Sequence, residues 1–345
     1  MSSENCAQAQ AIAIPGRRKI AIMEWIGMGL FLLLAIVLVV KPTMLTGVFD
    51  AMVKRVKPIA IDVFINGVVG VSIIISVIMA RLLERLGFTD GLMRIFVPIM
   101  GLLKINPTVI APAIYNIFGD INASGFVAGP CLRESGATKD EQKIAVAALV
   151  NTHQSESVLV FGIMAMAIAK VPVWLVLLLT DLVPLVLVPL ILKWTIYRDT
   201  KPTRLEEIPR FTPDTPILNT LFDGAIQGTK LLFLLIIPAV AVVYALIGGL
   251  EYFGLWTPIE TAMGTLMGYL FMETETGLMS VLASPTAAMA MLREIAATVP
   301  PSVVVGTYVL AASGLPLSLI FGQIPAVWTP ICDLNERESI GAACV

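Results

Sequence analysis

The sequence predicts an all-α protein that crosses a membrane several times. Hydrophobic residues make up 57% of its 345 residues and charged residues only 14%, whereas a soluble domain carries about 25% charged residues. Apolar runs long enough to cross a bilayer as helices recur along most of the chain. One of these runs, from Lys143 to Ala169, contains seven consecutive polar residues, Asn151–Ser157. That polar stretch would lie near the midplane of the bilayer.

Composition and motifs argue against several classes of function. The formal net charge of −2 gives no basic face for nucleic acid. The chain has one histidine and no Walker, zinc-protease, serine-hydrolase or dinucleotide motif. Its four cysteines have neither paired spacing nor histidine neighbours. We therefore expect no enzymatic activity, no cofactor and no metal site.

The N-terminal region is predicted to form a tail, residues 1–16, and a first transmembrane helix, residues 17–41. The helix opens with Arg17-Arg18-Lys19 and continues as an apolar run. That run is too long for a signal peptide, and no cleavage site follows it. The basic residues place the N-terminus in the cytoplasm.

Residues 42–195 are predicted to form the first of two repeats. Within residues 91–117, two apolar pieces flank Lys104–Pro107, and each is too short to span a bilayer. Pro107 breaks the helix there. We favour a re-entrant hairpin, which needs protein or a cavity around it, over two short tilted spans. Residues 119–141 look like a polar loop.

The polar stretch offers amide, hydroxyl and carboxylate groups that can hydrogen-bond a polar solute at midplane depth. The predicted solute-binding residues of this half are Asn151, Thr152, His153, Gln154, Ser155 and Glu156. Glu156 and His153 form a titratable pair that can carry a proton, because histidine titrates near neutral pH. Oxygen ligands can equally hold a sodium ion. The alternative, polar groups that only join helices, suits isolated polar residues better than seven in a row.

A second intramembrane carboxylate, Asp181, lies in the apolar run Val173–Leu192. A carboxylate at that depth needs a partner within the helix bundle, and His153 is one candidate. The predicted ion-coupling residues are therefore Glu156, His153, Asp181 and, from the second half, Glu275.

A basic, proline-containing segment, residues 196–215, is predicted to be a cytoplasmic linker. Residues 216–330 form the second repeat, and residues 331–345 form a C-terminal tail in the cytoplasm. In the apolar stretch 255–297, polar residues interrupt the sequence twice. The predicted binding residues from these interruptions are Glu273, Thr274, Glu275 and Ser284.

The two repeats share a short pattern of residues. Leu83-Glu84-Arg85-Leu86-Gly87-Phe88 in the first corresponds to Leu250-Glu251-Tyr252-Phe253-Gly254-Leu255 in the second. If the hairpin does not cross the membrane, the second repeat starts from the opposite side. The sequence thus predicts two inverted repeats, each with a re-entrant hairpin or a broken helix pair, plus an extra N-terminal helix. Many secondary transporters follow this plan.

Three segments resemble a known family: Gly129–Gly136, Thr152–Gly162 and Leu282–Met291. They are similar to the nucleoside-recognition, or Gate, domain family, which includes spore maturation proteins A and B. The family is regarded as distantly related to the concentrative nucleoside transporters. The resemblance implies two fused gate domains with two hairpins, but it does not fix a nucleoside as the solute.

These observations predict a secondary transporter in the cytoplasmic (inner) membrane. It would move a small polar solute, nucleoside-like or an organic anion, by alternating access with proton or sodium coupling. Its expected partners are the lipid bilayer, the solute and the coupling ion, and a homodimer is left open. The alternative is a membrane assembly or regulatory subunit that transports nothing and has a structural polar core.

Overall fold

Helices make up the regular secondary structure of the computed structural model, which describes residues 21–119, 121–152, 155–203, 208–313 and 319–345. The all-α prediction is confirmed. Residues up to Ala51 form one unit, and residues from Met52 onward form another.

In the first unit, helix α1 (Ile22–Val40) is apolar and buries none of its residues. Its start is capped by Glu24, whose carboxylate accepts a hydrogen bond of 2.8 Å from the Ala21 N–H. The helix is long and apolar enough to cross a membrane. It matches the predicted first transmembrane helix, except that residues 17–20 lie outside the described residues.

The helices between α1 and residue 195 lie within the residues predicted to form the first repeat. They are α2 (Thr43–Ile65), α3 (Val68–Arg85), α4 (Phe88–Leu102), a 3-10 turn (Pro107–Ile110) leading into α5 (Ala111–Ile117), α6 (Ile121–Glu134), α7 (Lys139–Val150), α8 (Glu156–Ile168) and α9 (Val173–Thr195). Helix α3 bends away from α2 by 52°, at a break where Gly67 is extended.

The helices after the linker occupy the second predicted repeat and the tail. They are α10 (Ile217–Tyr252), α11 (Trp256–Tyr269), α12 (Thr274–Leu282), α13 (Pro285–Ile295), α14 (Pro301–Ala311), α15 (Leu319–Ile331) and α16 (Glu336–Ala343).

Among the described residues, three helices are long and apolar enough to cross a membrane: α1, α9 and α10. The bent pair of α2 and α3 would make a fourth. Helices of this length and composition support a membrane protein, as the sequence predicts.

The loop predicted over residues 119–141 is wrong, because α6 occupies most of it. Its small residues serve helix packing rather than a turn. A side chain at Gly125 would collide with Val327, and one at Gly129 would meet Ile331. Small residues let two helices approach closely, so α6 packs directly against α15.

Two apolar runs that could each have been one span are interrupted. The run from Lys143 to Ala169 divides into α7 and α8, and Ser155 between them has extended backbone with φ −163° and ψ 158°. The run over residues 302–328 divides into α14 and α15. In both cases neither helix alone is long enough to cross a bilayer core.

Two pairs of consecutive helices are joined by short turns and pack against each other. Helices α5 and α6 pack together, and Ser124 Oγ of α6 donates to the Pro112 carbonyl of α5. Helices α12 and α13 pack together around Ala283 and Ser284. The break expected at Lys104–Pro107 is present, and it separates α4 from the 3-10 turn and α5, the two pieces predicted over residues 91–117.

The first half of the chain, up to the linker at residues 196–215, packs against the second half, which follows the linker. Helix α8 of the first half packs against α13 of the second, and α15 of the second packs against α6 of the first. The early part of α10 lies along α3, whereas its later part contacts residues 58–65. Helix α10 therefore runs antiparallel to residues 58–85.

Candidate functional site

A cavity of about 270 Å³ lies where helix breaks of the two halves meet. Its walls come from α3, α6, α8, α10, α13 and α15. The lining residues are Val77, Arg81, Ile121, Asn122, Ser155, Glu156, Gln227, Leu231, Leu235, Ile236, Ala239, Ala283, Ser284, Pro285, Thr286 and Gln323. The lining thus combines apolar residues with charged, amide and hydroxyl groups.

Three of the predicted binding residues line this cavity: Ser155, Glu156 and Ser284. Ser155 and Glu156 are each 7% exposed. Glu156 is the first residue of α8, where the positive end of the helix dipole favours a negative charge. Its carboxylate is therefore both close to the cavity and electrostatically stabilised.

Other predicted residues of the polar stretch lie beside the cavity or away from it. Thr152 is buried, and its Oγ1 accepts a hydrogen bond of 3.0 Å from Asn116 Nδ2. Asn151 is exposed and donates to the carbonyl of Ala147. His153 and Gln154 lie outside the described residues.

Residues from both halves form hydrogen bonds with the break between α7 and α8. Ser155 Oγ lies 3.0 Å from Thr286 Oγ1, across the two halves. The Glu156 N–H donates to the Gly119 carbonyl at the α5–α6 turn, at 2.9 Å. Ser76 Oγ on α3 donates to Ser157 Oγ at 2.9 Å. The backbone polar groups freed by the break are in this way partly satisfied within the protein.

Arg81 is a cavity residue that the sequence did not single out. Its Nη1 forms an ion pair of 2.7 Å with Glu84, and its Nε donates to Gln227 Oε1 at 2.7 Å. Tyr115 donates to the other oxygen of Glu84 at 2.8 Å. Arg81 lies in the last turns of an apolar helix, so position alone suggested a membrane-boundary residue.

The amide residues and Thr286 were also not predicted to bind the solute. Asn122 follows the α5–α6 turn, Gln227 is on α10 and Gln323 is on α15. Isolated amides in polar-looking or amphipathic stretches give no signal in a single sequence. Thr286 could have been found, because it belongs with Ser284 and Pro285 to one interruption of an apolar run.

The structure does not bring Glu273, Thr274 and Glu275 to the cavity. Glu273 is the N-cap of α12 and accepts hydrogen bonds from the N–H groups of Glu275 and Thr276, at 3.1 and 2.6 Å. Glu275 is exposed. A carboxylate beside free N–H groups is well suited to capping, which explains this position without a ligand.

Asp181 is buried in a separate polar cluster. It is 3% exposed and accepts hydrogen bonds from Tyr308 Oη at 3.0 Å and from Thr180 Oγ1 at 2.9 Å. The Tyr308 ring packs on Gly162 of α8, where an added side chain would collide with it. Asp181 therefore has partners in the bundle, and the cluster connects α9 to α14 and α8.

Together these features define an all-helical protein, able to cross a membrane, with a polar cavity between its two halves. No protein-family model, curated protein or solved structure matches the chain.

Proposed function

We propose that the protein is a secondary transporter of a small polar solute, coupled to protons or sodium ions. One observation carries the proposal: a single cavity is lined by the helix breaks of both halves. Alternating access needs a central site that the two halves can expose to one side or the other in turn.

We infer that the two halves are inverted repeats. In each half, a glycine with positive φ precedes a helix, and a second residue with positive φ follows that helix. The two residues are Gly87 and Lys104 in the first half, and Gly254 and Phe271 in the second, and the spacing is the same in both pairs. Two residues after each of the later positions comes an N-cap, Asn106 or Glu273, whose side chain accepts hydrogen bonds from backbone N–H groups.

The contacts between elements support the same repeat. The α5–α6 hairpin corresponds to α12–α13, and the broken pair α7–α8 corresponds to α14–α15. Under this correspondence, the contact of α8 with α13 is the counterpart of the contact of α15 with α6. A two-fold axis in the membrane plane would produce this exchange, together with the antiparallel course of α10 against α3.

The hairpins suggest a shared plan with the Gate family, which the sequence resembles. Each hairpin would enter the membrane without crossing it, which requires protein or a cavity around its turn. The described turn residues Gly119, Ala283 and Ser284 all lie in the cavity region, Gly119 through its hydrogen bond with the Glu156 N–H and the other two in the cavity lining. The protein would lie in the cytoplasmic membrane with both termini on the cytoplasmic side.

The lining groups suit a small solute that forms several hydrogen bonds. Ligand pockets commonly enclose about 300–1,000 Å³ and combine apolar walls with a few polar groups, and this cavity lies near the lower limit. Ser155, Ser284 and Thr286 supply hydroxyls. We assign coupling to Glu156, because a carboxylate in the cavity can bind a proton or contribute to a sodium site.

Binding and transport assays on the full-length protein test this proposal. A thermal-shift screen would cover nucleosides, nucleobases, amino acids and organic acids, with and without sodium and at two pH values. A solute that binds only the folded protein raises its melting temperature. Compounds that bind would then be assayed for uptake into proteoliposomes, for the wild type and for Glu156→Gln.

Glu275→Gln is the matched control, because Glu275 is an exposed carboxylate outside the cavity. We expect Glu156→Gln to abolish coupled uptake and Glu275→Gln to retain it. If no solute binds or enters the vesicles, the transporter proposal is wrong.

A second candidate function is a structural one, as a membrane assembly or regulatory subunit. The hydrogen bonds between Ser155 and Thr286, and between Ser76 and Ser157, favour it, since they already join helices within the polar centre. Under this alternative, Glu156→Gln would lower stability without changing the binding of any solute. A requirement for a partner protein during purification would also support it.

A further inference from the structure

Arg81 supplies the positive charge among the described residues that line the cavity. Its Nη1 and Nε are engaged by Glu84 and Gln227. Tyr115, which donates to Glu84, also interacts with the Arg81 side chain. The side chain nevertheless keeps 21% of its surface exposed and lines the cavity, where a ligand could contact it.

The partners of Arg81 hold its guanidinium in a fixed position. Glu84 does not line the cavity, and its side chain is only 6% exposed. Tyr115 holds the second oxygen of Glu84 at 2.8 Å. Gln227 approaches from α10 of the second half. A guanidinium held by two oriented groups loses little rotamer freedom when it binds an oxyanion.

Three helices also point their N-terminal ends at this cavity. Helices α6, α8 and α13 begin at Ile121, Glu156 and Pro285, and all three residues line it. The positive end of the helix dipole makes such ends favourable for negative charge. These ends add to the positive potential that Arg81 creates in the cavity.

We infer that the cavity recognises its solute through a negatively charged oxygen group, and that Arg81 is the residue that binds this group. The inference rests on the proposed function and narrows the solute to a small organic anion, with a carboxylate as the first choice. Arg81 forms a bidentate or charge-assisted contact that no neutral analogue can reproduce.

Glu156 shares the cavity and repels an anion while it is ionised. The coupling cation assigned to Glu156 removes that repulsion, so anion and cation would bind together. Two like charges in one small cavity disfavour each other, which gives a physical reason for coupling transport of an anion to a proton or a sodium ion.

The test compares acids with their own neutral amides on the full-length protein. Lactate is paired with lactamide and succinate with succinamide, and inorganic phosphate is a separate arm that distinguishes a phosphate site from a carboxylate site. We expect the wild type to bind at least one acid about tenfold more tightly than its amide. Arg81→Gln should reduce that preference to about twofold or less.

Arg85→Gln is the control, because Arg85 lies one turn further along α3 and bonds to the Thr215 carbonyl rather than lining the cavity. If Arg81→Gln does not fold, the acid and amide pairs on the wild type still decide the question. Wild-type binding or uptake of neutral solutes, with no preference for any anion, overturns this inference and leaves the transporter proposal standing. Binding of no solute at all overturns both.

Discussion

Ser155 Oγ on the first half and Thr286 Oγ1 on the second lie 3.0 Å apart at the wall of the cavity. Both residues flank helix breaks, and both are less than one-tenth exposed. The hydrogen bond therefore joins the polar stretch to the α12–α13 turn. It places Ser284–Thr286, rather than Glu273–Thr276, next to that stretch at the cavity.

Thr286→Val should destabilise the protein by about 1 kcal/mol, because it leaves the buried Ser155 hydroxyl without this partner. Valine has the shape of threonine, so packing changes little. Denaturant unfolding in mixed micelles measures the loss. Solute binding, once a solute is found, should weaken as well, since Thr286 lines the cavity.

Ser280→Ala is the control for that substitution. Ser280 Oγ is buried and has no hydrogen-bond partner among the described residues. Removing an unsatisfied hydroxyl costs no hydrogen bond, so stability should stay the same or rise. Equal losses in both variants would show that the Ser155–Thr286 bond contributes nothing specific.

Much of the fold can be predicted from hydrophobic runs, because a bilayer demands a minimum length of apolar helix. That rule places α1 within the predicted residues 17–41, and it predicts the start of α9 at Val173, although the helix continues past Leu192 to Thr195. It fails for elements that do not cross the membrane alone. The α6 segment is rich in small residues, a composition that is also typical of loops. In the structure these small residues allow the helix to pack closely on α15, as Gly125 does.

Site residues can be predicted where several polar residues are adjacent in the sequence, but not where they come singly from distant segments. Seven adjacent polar residues in an apolar run indicate a site, and Ser155 and Glu156 do line the cavity. Arg81, Asn122 and Gln323 reach it from three different helices, which a single sequence cannot place together. Glu273 was misleading, because helix capping and ligand binding favour the same residue types.

Gly306→Ala should destabilise the protein by about 1–3 kcal/mol through steric overlap. A methyl group there would collide with the carbonyl oxygen of Phe271. That obstacle is backbone, so relief requires α14 to move away from the α11–α12 turn. The midpoint of denaturant unfolding should fall.

Gly268→Ala on α11 gives the comparison, because nothing lies within 4 Å of an added side chain there. It should leave stability unchanged or slightly raised, since alanine favours helix more than glycine does. A Gly306→Ala variant as stable as Gly268→Ala would mean that α14 does not pack on Phe271.

Glu141→Gln should cost about 1–3 kcal/mol, because Glu141 is a fully buried acceptor for three backbone N–H groups. They belong to Asn106, Thr138 and Lys201, each at 2.9 Å. Glutamine would turn an N–H₂ group towards one of these donors. Unfolding measurements on Glu134→Gln, an exposed carboxylate nearby, should show little change; a similar loss there would refute a specific role for Glu141.

The C-terminal helix α16 should be anchored in a pH-dependent way by Glu338. Its carboxylate accepts a hydrogen bond of 2.9 Å from the Asn335 N–H and faces Lys139 and Lys143 at 3.4 and 3.7 Å. The Asn335 hydrogen bond, aided by the two lysines, lowers the pKa of Glu338 below its ordinary value of 4.5. The folded state thus binds a proton less readily than the unfolded state does.

The sign of the effect follows from this difference. The stabilising contribution of Glu338 is complete above the ordinary pKa and disappears as the pH falls through the lowered value. Hydrogen exchange of the α16 amides, corrected for the chemical exchange rate, should therefore show less protection in Glu338→Gln than in the wild type at about pH 6, and this difference should shrink as the pH falls below 4.5 and through the lowered pKa. Glu336→Gln, an exposed neighbour in the same first turn, should match the wild type throughout. A gap between wild type and Glu338→Gln that stays constant down to low pH would mean that the charge of Glu338 does not hold α16 in place.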